Sequence, residues 1–126
     1  MNLGVHDGKF APCPATPNCV SSQITDNVHG IEPLRYTGSP RQAMDRLKKV
    51  ITGMKRARIV AEDGMYLRAE FTSALFRFVD DVEFFADERG AAIHVRSASR
   101  IGSSDLGVNR KRVEDIRAAM NAVTPD

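Results

Sequence analysis

The sequence holds no tryptophan, only two cysteines, and a net charge of just +2 over 126 residues. It also lacks any apolar run approaching the length of a membrane-spanning helix. Each shortage excludes something. Two cysteines cannot frame a disulfide scaffold, and a chain this long can bury a core without cross-links. So small a net charge provides no polycation for nucleic acid. No membrane span is expected. The opening, MNLGVHDGKFAPCP, lacks the charged-then-apolar order of a signal peptide, so the chain reads as cytoplasmic. What is present is ordinary globular composition, 42% hydrophobic and 27% charged, suited to a single domain over 1–126. Residues 1–30, rich in Gly, Pro, Asn and Ser, read as an irregular N-terminal arm, and 31–126 as the folded core.

The charge is unevenly spread. Eight basic residues and one acid, Asp45, fall between Arg35 and Arg58; eight acids and three arginines fall between Glu62 and Gly90. This pattern predicts a basic helix face set against an acidic sheet, with a partner-binding surface as the alternative.

Periodicity gives the elements. Ile31 to Tyr36 reads as a short edge strand interrupted by Pro33. Ser39-Pro40-Arg41-Gln42 opens a helix with a capping box and a proline in the first turn. Ala43, Met44, Leu47, Val50, Ile51 and Met54 form its apolar stripe. Strands follow over Arg58–Glu62, Tyr66–Ser73, Arg77–Ala86 and Ala92–Ala98, with Asp63-Gly64 and Asp87-Glu88-Arg89-Gly90 as turns. In the third of these, Phe78, Asp80, Val82 and Phe84 share one face; Val79, Asp81, Glu83 and Phe85 share the other. A last helix spans about Arg110 to Ala122. Asn109 is its expected cap, and Val113, Ile116, Met120 and Val123 its buried stripe. Arg110–Glu114 and Lys111–Asp115 are spaced to pair along it. The fold class is α+β: an antiparallel four- to five-stranded meander with two amphipathic helices on one face.

Three stretches carry chemistry. The first is RSASRIGSSDLGVNRKR, residues 96–112. A Gly/Ser-rich loop between strand and helix exposes backbone N–H groups near a helix terminus. Arg96, Arg100 and Arg110 add forked donors for phosphate or carboxylate. Ser97, Ser99, Ser103 and Ser104 add hydroxyls. Gly102 and Gly107 imitate the spacing of a phosphate-binding loop, but Val108-Asn109 replaces the required Lys-Ser/Thr, so a nucleotide triphosphatase is excluded. The competing reading is a loop held by its own polar side chains, with Asp105 tied to backbone amides or an arginine.

The second stretch is FRFVDDVEFFAD, residues 76–87. Asp80, among apolar neighbours, requires a partner, for which Arg77, Arg96 and Arg100 are on offer. Asp81 and Glu83, with His94, Arg68 and Glu70 on adjoining strands, suggest cross-strand ion pairs. A metal is not expected there, because the arginines would compete for the carboxylates. Ser97 or Ser99 with His94 and Asp81 makes a triad only on paper, since no nucleophile elbow accompanies them.

The third is PCPATPNCVSSQ, residues 12–23. Cys13 and Cys19 lack the spacing of a zinc or dithiol motif, even with His6 and His29 added. A buried structural thiol, a disulfide and a reactive thiol all remain open. A disulfide would be reduced in the cytosol. In every case Pro12, Pro14 and Pro17 stiffen the segment into a strap.

Together, PCPATPNCVSSQ, YLRAEFTSALFRFVDDVEFF and IHVRSASRIGSSDLGVNRKRVEDIR resemble the domain of unknown function 1499 family. Its members are small bacterial and plastid proteins, many with export or lipoprotein leaders. The resemblance runs from about Leu3 to Ala122. It implies a compact single domain, and no particular activity or cofactor.

The sequence therefore predicts a binding module. Its site would comprise Arg96, Ser97, Ser99, Arg100, Asp105, Asn109 and Arg110, with the 12–23 strap beside it. The ligand would be an anionic small molecule or an acidic protein segment; no cofactor, metal or nucleic acid is expected. One alternative is a thiol enzyme using Cys19 or Cys13 with His29 or His94 as base. Another is a structural or interaction module docking through the basic helix face.

Overall fold

The structure is a computed structural model and describes residues 3–102 and 105–122. Ser103, Ser104 and Val123 lie outside the described residues. The architecture is α+β, with an open antiparallel sheet and two helices. In chain order the elements are β1 (Cys19–Ser21), β2 (Leu34–Arg35), α1 (Pro40–Thr52), β3 (Ala57–Asp63), β4 (Tyr66–Thr72), β5 (Val79–Asp87), β6 (Ala92–Ser99) and α2 (Val108–Ala122).

The meander β3-β4-β5-β6 forms as the short links require. The strand number is six rather than four or five. The two additions are short and lie end to end on the outer edge of β6. There β2 pairs with Ala92 and Ile93, and β1 pairs with Arg96 to Ala98. The arm thus contributes a strand, and it shields most of an edge that would otherwise present unpaired backbone.

Local chemistry explains the boundaries. Ser39 Oγ accepts from Gln42 N at 3.1 Å, and Gln42 Oε1 accepts from Ser39 N at 3.0 Å, which completes the capping box. Strand β5 starts later than its residues suggest. Arg77 has φ +58°, a left-handed conformation that breaks strand pairing, so Phe78 falls outside the sheet.

The core lies between the helices and one sheet face. Leu47 and Ile51 of α1, Leu67 of β4, Phe84 of β5, Ile93 of β6 and Ile116 of α2 are all fully buried there. Each contributes on the order of 1.5–3 kcal/mol by leaving water. Residues of the N-terminal arm cover part of the other face. Phe10 is buried, Gly4 N donates to Glu83 Oε2 at 2.6 Å, and Arg96 Nη2 donates to Pro12 O at 3.3 Å. The predicted pairing of a basic helix with an acidic sheet is realised at one point, Lys48–Glu62 at 3.1 Å. Arginines from the sheet and α2 answer most of the other sheet acids.

Candidate functional site

The seven residues expected to form one site do not form one. Strand alternation separates them. Ser97 and Ser99 point to the helix face of β6; Arg96 and Arg100 point to the arm face. Arg110 is elsewhere again, donating to Val28 O at 3.1 Å. It does not pair with Glu114, which Arg117 holds instead at 2.8 Å; Lys111–Asp115 forms as expected, also at 2.8 Å.

On the helix face, Ser97, Ser99, Asp105 and Asn109 do come together, but they satisfy one another. Asn109 is fully buried inside the first turn of α2 rather than capping it. Its Nδ2 donates to Asp105 Oδ2 at 2.7 Å, Ser99 Oγ at 2.9 Å and Asn18 O at 3.2 Å; its Oδ1 accepts from Ser97 Oγ at 2.6 Å. The helix start is occupied by Asp105, which accepts from Gly107 N at 2.9 Å and Asn109 N at 3.0 Å. Burial alone would raise its pKa, yet these bonds hold it below the usual carboxylate value. Asp105 thereby fills the place an external anion would take. Asp80 finds a partner the sequence reading missed, Arg112 of α2, at 2.8 Å. Arg112 also lies over the Phe71 ring, 4.9 Å from its centroid, and donates to Asn109 Oδ1 at 2.9 Å. One signal could have revealed it: Arg112 stands one turn before Ile116, on the flank of the buried stripe.

On the arm face the cross-strand pairs form. Arg100 grips Asp81 through Nε at 2.8 Å and Nη2 at 3.0 Å, and reaches Glu70 at 2.7 Å. Arg68 and Arg58 complete the ladder, at 3.3 Å to Asp81 and 3.2 Å to Glu70. The hydrogen bond to Asp81 is the main reason Arg100 stays protonated well above its ordinary value. Glu83 is fully buried. Its Oε2 accepts from Tyr66 Oη at 2.7 Å, and its Oε1 lies 3.7 Å from Arg96 Nη1. Burial and the Glu83 partner push the Tyr66 hydroxyl pKa upward, while burial pushes Arg96 down. Arg96 and Arg100 are thus both engaged by carboxylates of the sheet.

The cysteine question has a direct answer: Cys13 and Cys19 form a disulfide. This corrects the first reading, a buried structural thiol. Among the described residues no cysteine is free, so the thiol-enzyme alternative has no nucleophile in this state. His94 is not beside the cysteines either. Its Nδ1 lies 3.0 Å from Ser22 Oγ, and burial lowers its pKa. His29 is held by Thr16 O at 3.0 Å and by Asp26. The strap does run beside the 96–110 segment as expected. Asn18 O accepts from Ser99 N at 3.0 Å, and Asn18 Nδ2 donates to Gly102 O at 2.7 Å.

The surface that stands out was not foreseen. Among the described residues seven large apolar side chains are exposed, and six lie on two loops at one end of the sheet. Leu75, Phe76 and Phe78 come from the β4–β5 loop; Ile101, Leu106 and Val108 come from the β6–α2 loop and the start of α2. The loops are neighbours because Arg100 N donates to Val79 O at 3.3 Å and a shared cleft joins Ser73 and Ala74 to Val108. Phe76 and Phe78 stack at 5.5 Å. Leu106 is 96% exposed and has φ +54°. Neither burial nor backbone preference favours leucine at such a position. Cations line the two clefts next to these loops: Arg56, Arg58 and Arg77 in one, Lys55 and Lys111 in the other. Lys55, Arg56 and Arg77 make no ion pair with any described residue, whereas the nearby acids Asp80, Asp81, Glu70 and Asp115 are all engaged.

Compared with known protein families, the chain matches the model for the protein of unknown function DUF1499 over residues 9–120, and it belongs to that family. No curated protein matches the chain.

Proposed function

We propose that this family member is a non-catalytic docking module that works through one end of its sheet. The observation that carries the reading is the gathering, among the described residues, of six of the seven exposed large apolar side chains on two adjoining loops, beside cations that pair with no described residue. Exposed apolar patches of this kind mark interaction surfaces. The partner is apolar and anionic at once. The anionic ligand expected from the sequence is retained, but Lys55, Arg56 and Arg77 take the role first given to Arg96 and Arg100. The disulfide favours an oxidising compartment over the cytoplasm.

A photo-crosslinking residue placed at Phe76, and in a second variant at Glu88 on the opposite end, tests the reading in the native cell. Adducts, to protein or to lipid, should form from position 76 and not from position 88. Equal labelling from both ends, or none from 76, would refute it.

A further inference from the structure

Resting on that docking reading, we infer that the partner of the loop end is the surface of an anionic lipid bilayer. Three observations choose a bilayer over a protein. First, the apolar side chains stand outward on loops rather than lining a groove. Of the two clefts behind them, one of about 540 Å³ carries Arg56, Arg58, Glu70 and Arg77 beside small side chains, and the other sets Met54, Phe71 and Val108 among Lys55, Lys111, Arg112 and Asp115, so neither is a continuous apolar trough. A bilayer accepts protruding apolar tips without shape complementarity; a protein partner requires it.

Second, the cations are arranged as an interfacial site requires. They sit behind and beside the tips, on flexible stems that can reach headgroup phosphates while the apolar groups enter the acyl boundary. Third, the local carboxylates are spent inside the fold. Asp81 and Glu70 are held by arginines, Asp80 by Arg112 and Asp115 by Lys111; Asp105 is satisfied by Gly107 N and Asn109 without a cation, but Lys55, Arg56 and Arg77, which pair with no described residue, outnumber it and leave positive charge in excess at this end. A negative lipid surface attracts such charge, roughly fivefold in affinity for each cation that comes close. No helix of the described residues is long and apolar enough to cross a membrane.

The test uses the full oxidised chain and flotation with vesicles of phosphatidylcholine, with and without phosphatidylglycerol. The protein should float with the phosphatidylglycerol vesicles, poorly with phosphatidylcholine alone, and less well as salt is raised. Phe76→Ser combined with Leu106→Asn should lower binding about tenfold or more, with the melting temperature unchanged or higher, because both side chains are exposed. Arg56→Gln combined with Arg77→Gln should lower binding by up to about 25-fold, fivefold for each cation, and flatten its salt dependence. Failure to float with either vesicle overturns the inference, as does equal flotation with both. If flotation fails while position 76 still yields protein adducts in cells, the lipid partner is wrong and the docking reading stands.

Discussion

The two ends of the sheet are built from the same four meander strands, yet they present opposite surfaces. At one end β3 turns into β4 through Asp63-Gly64, and β5 into β6 through Asp87-Glu88-Arg89-Gly90. Those turns are polar; Gly64 supplies the positive φ, +59°, that a tight turn needs. At the other end the β4–β5 loop and the approach to α2 expose Leu75, Phe76, Phe78, Ile101 and Leu106. Loop composition as such cannot explain the difference, since the chain plainly has the turn residues to close a strand pair quietly. The apolar end is also the more heavily fastened. Behind it lie the Asp80–Arg112 pair, the Asn109 network and the Cys13–Cys19 strap. On the docking reading, the surface that meets a partner is held firm from behind, and the plain end needs only its turns.

That contrast can be broken at several places. The largest effect is expected from Asp80→Ala. It leaves Arg112, whose side chain is only 13% exposed, without its carboxylate and should cost about 3 kcal/mol, read by urea unfolding. Next, Cys13→Ser with Cys19→Ser removes the strap. It should cost about 2 kcal/mol by loop-closure entropy, and reductant should lower the wild-type melting temperature by a matching amount. At the plain end Gly64→Ala forces a side chain into left-handed backbone with open space around it. The cost should be about 1 kcal/mol, with docking untouched. The smallest change sharpens the comparison most. Leu106→Asn should stabilise the fold by about 0.5 kcal/mol, because asparagine tolerates positive φ better than leucine, while weakening docking. A variant that gains stability and loses binding separates a functional leucine from a merely misplaced one.

Much of the fold was legible in the sequence because it is written in short-range terms. The capping box at Ser39, the α1 stripe, Asp63-Gly64 and the alternation of Tyr66 to Phe71 all depend on neighbours within a few residues. The same alternation was underused at the site. Arg96, Ser97, Ser99 and Arg100 look like a cluster along the chain, but a period of two sends them to opposite faces. The partner of Asp80 left only a faint signal, the place of Arg112 on the flank of the α2 stripe, because it is packing that brings Arg112 across to β5. Closure of Cys13 onto Cys19 likewise depends on how the strap lies against β6. Phe78 was misread for a local reason: RFVDDVEFFA reads as one alternating strand from Arg77, and nothing in its composition announces the left-handed turn at Arg77.

The most direct measurement is hydroxyl-radical footprinting of the same side chains in intact cells and in the purified protein. Docking through the loop end predicts that Phe76, Phe78 and Leu106 are protected in cells, while Val28, exposed on a different loop, is modified equally in both. Equal modification of all four side chains in cells and in solution would contradict it.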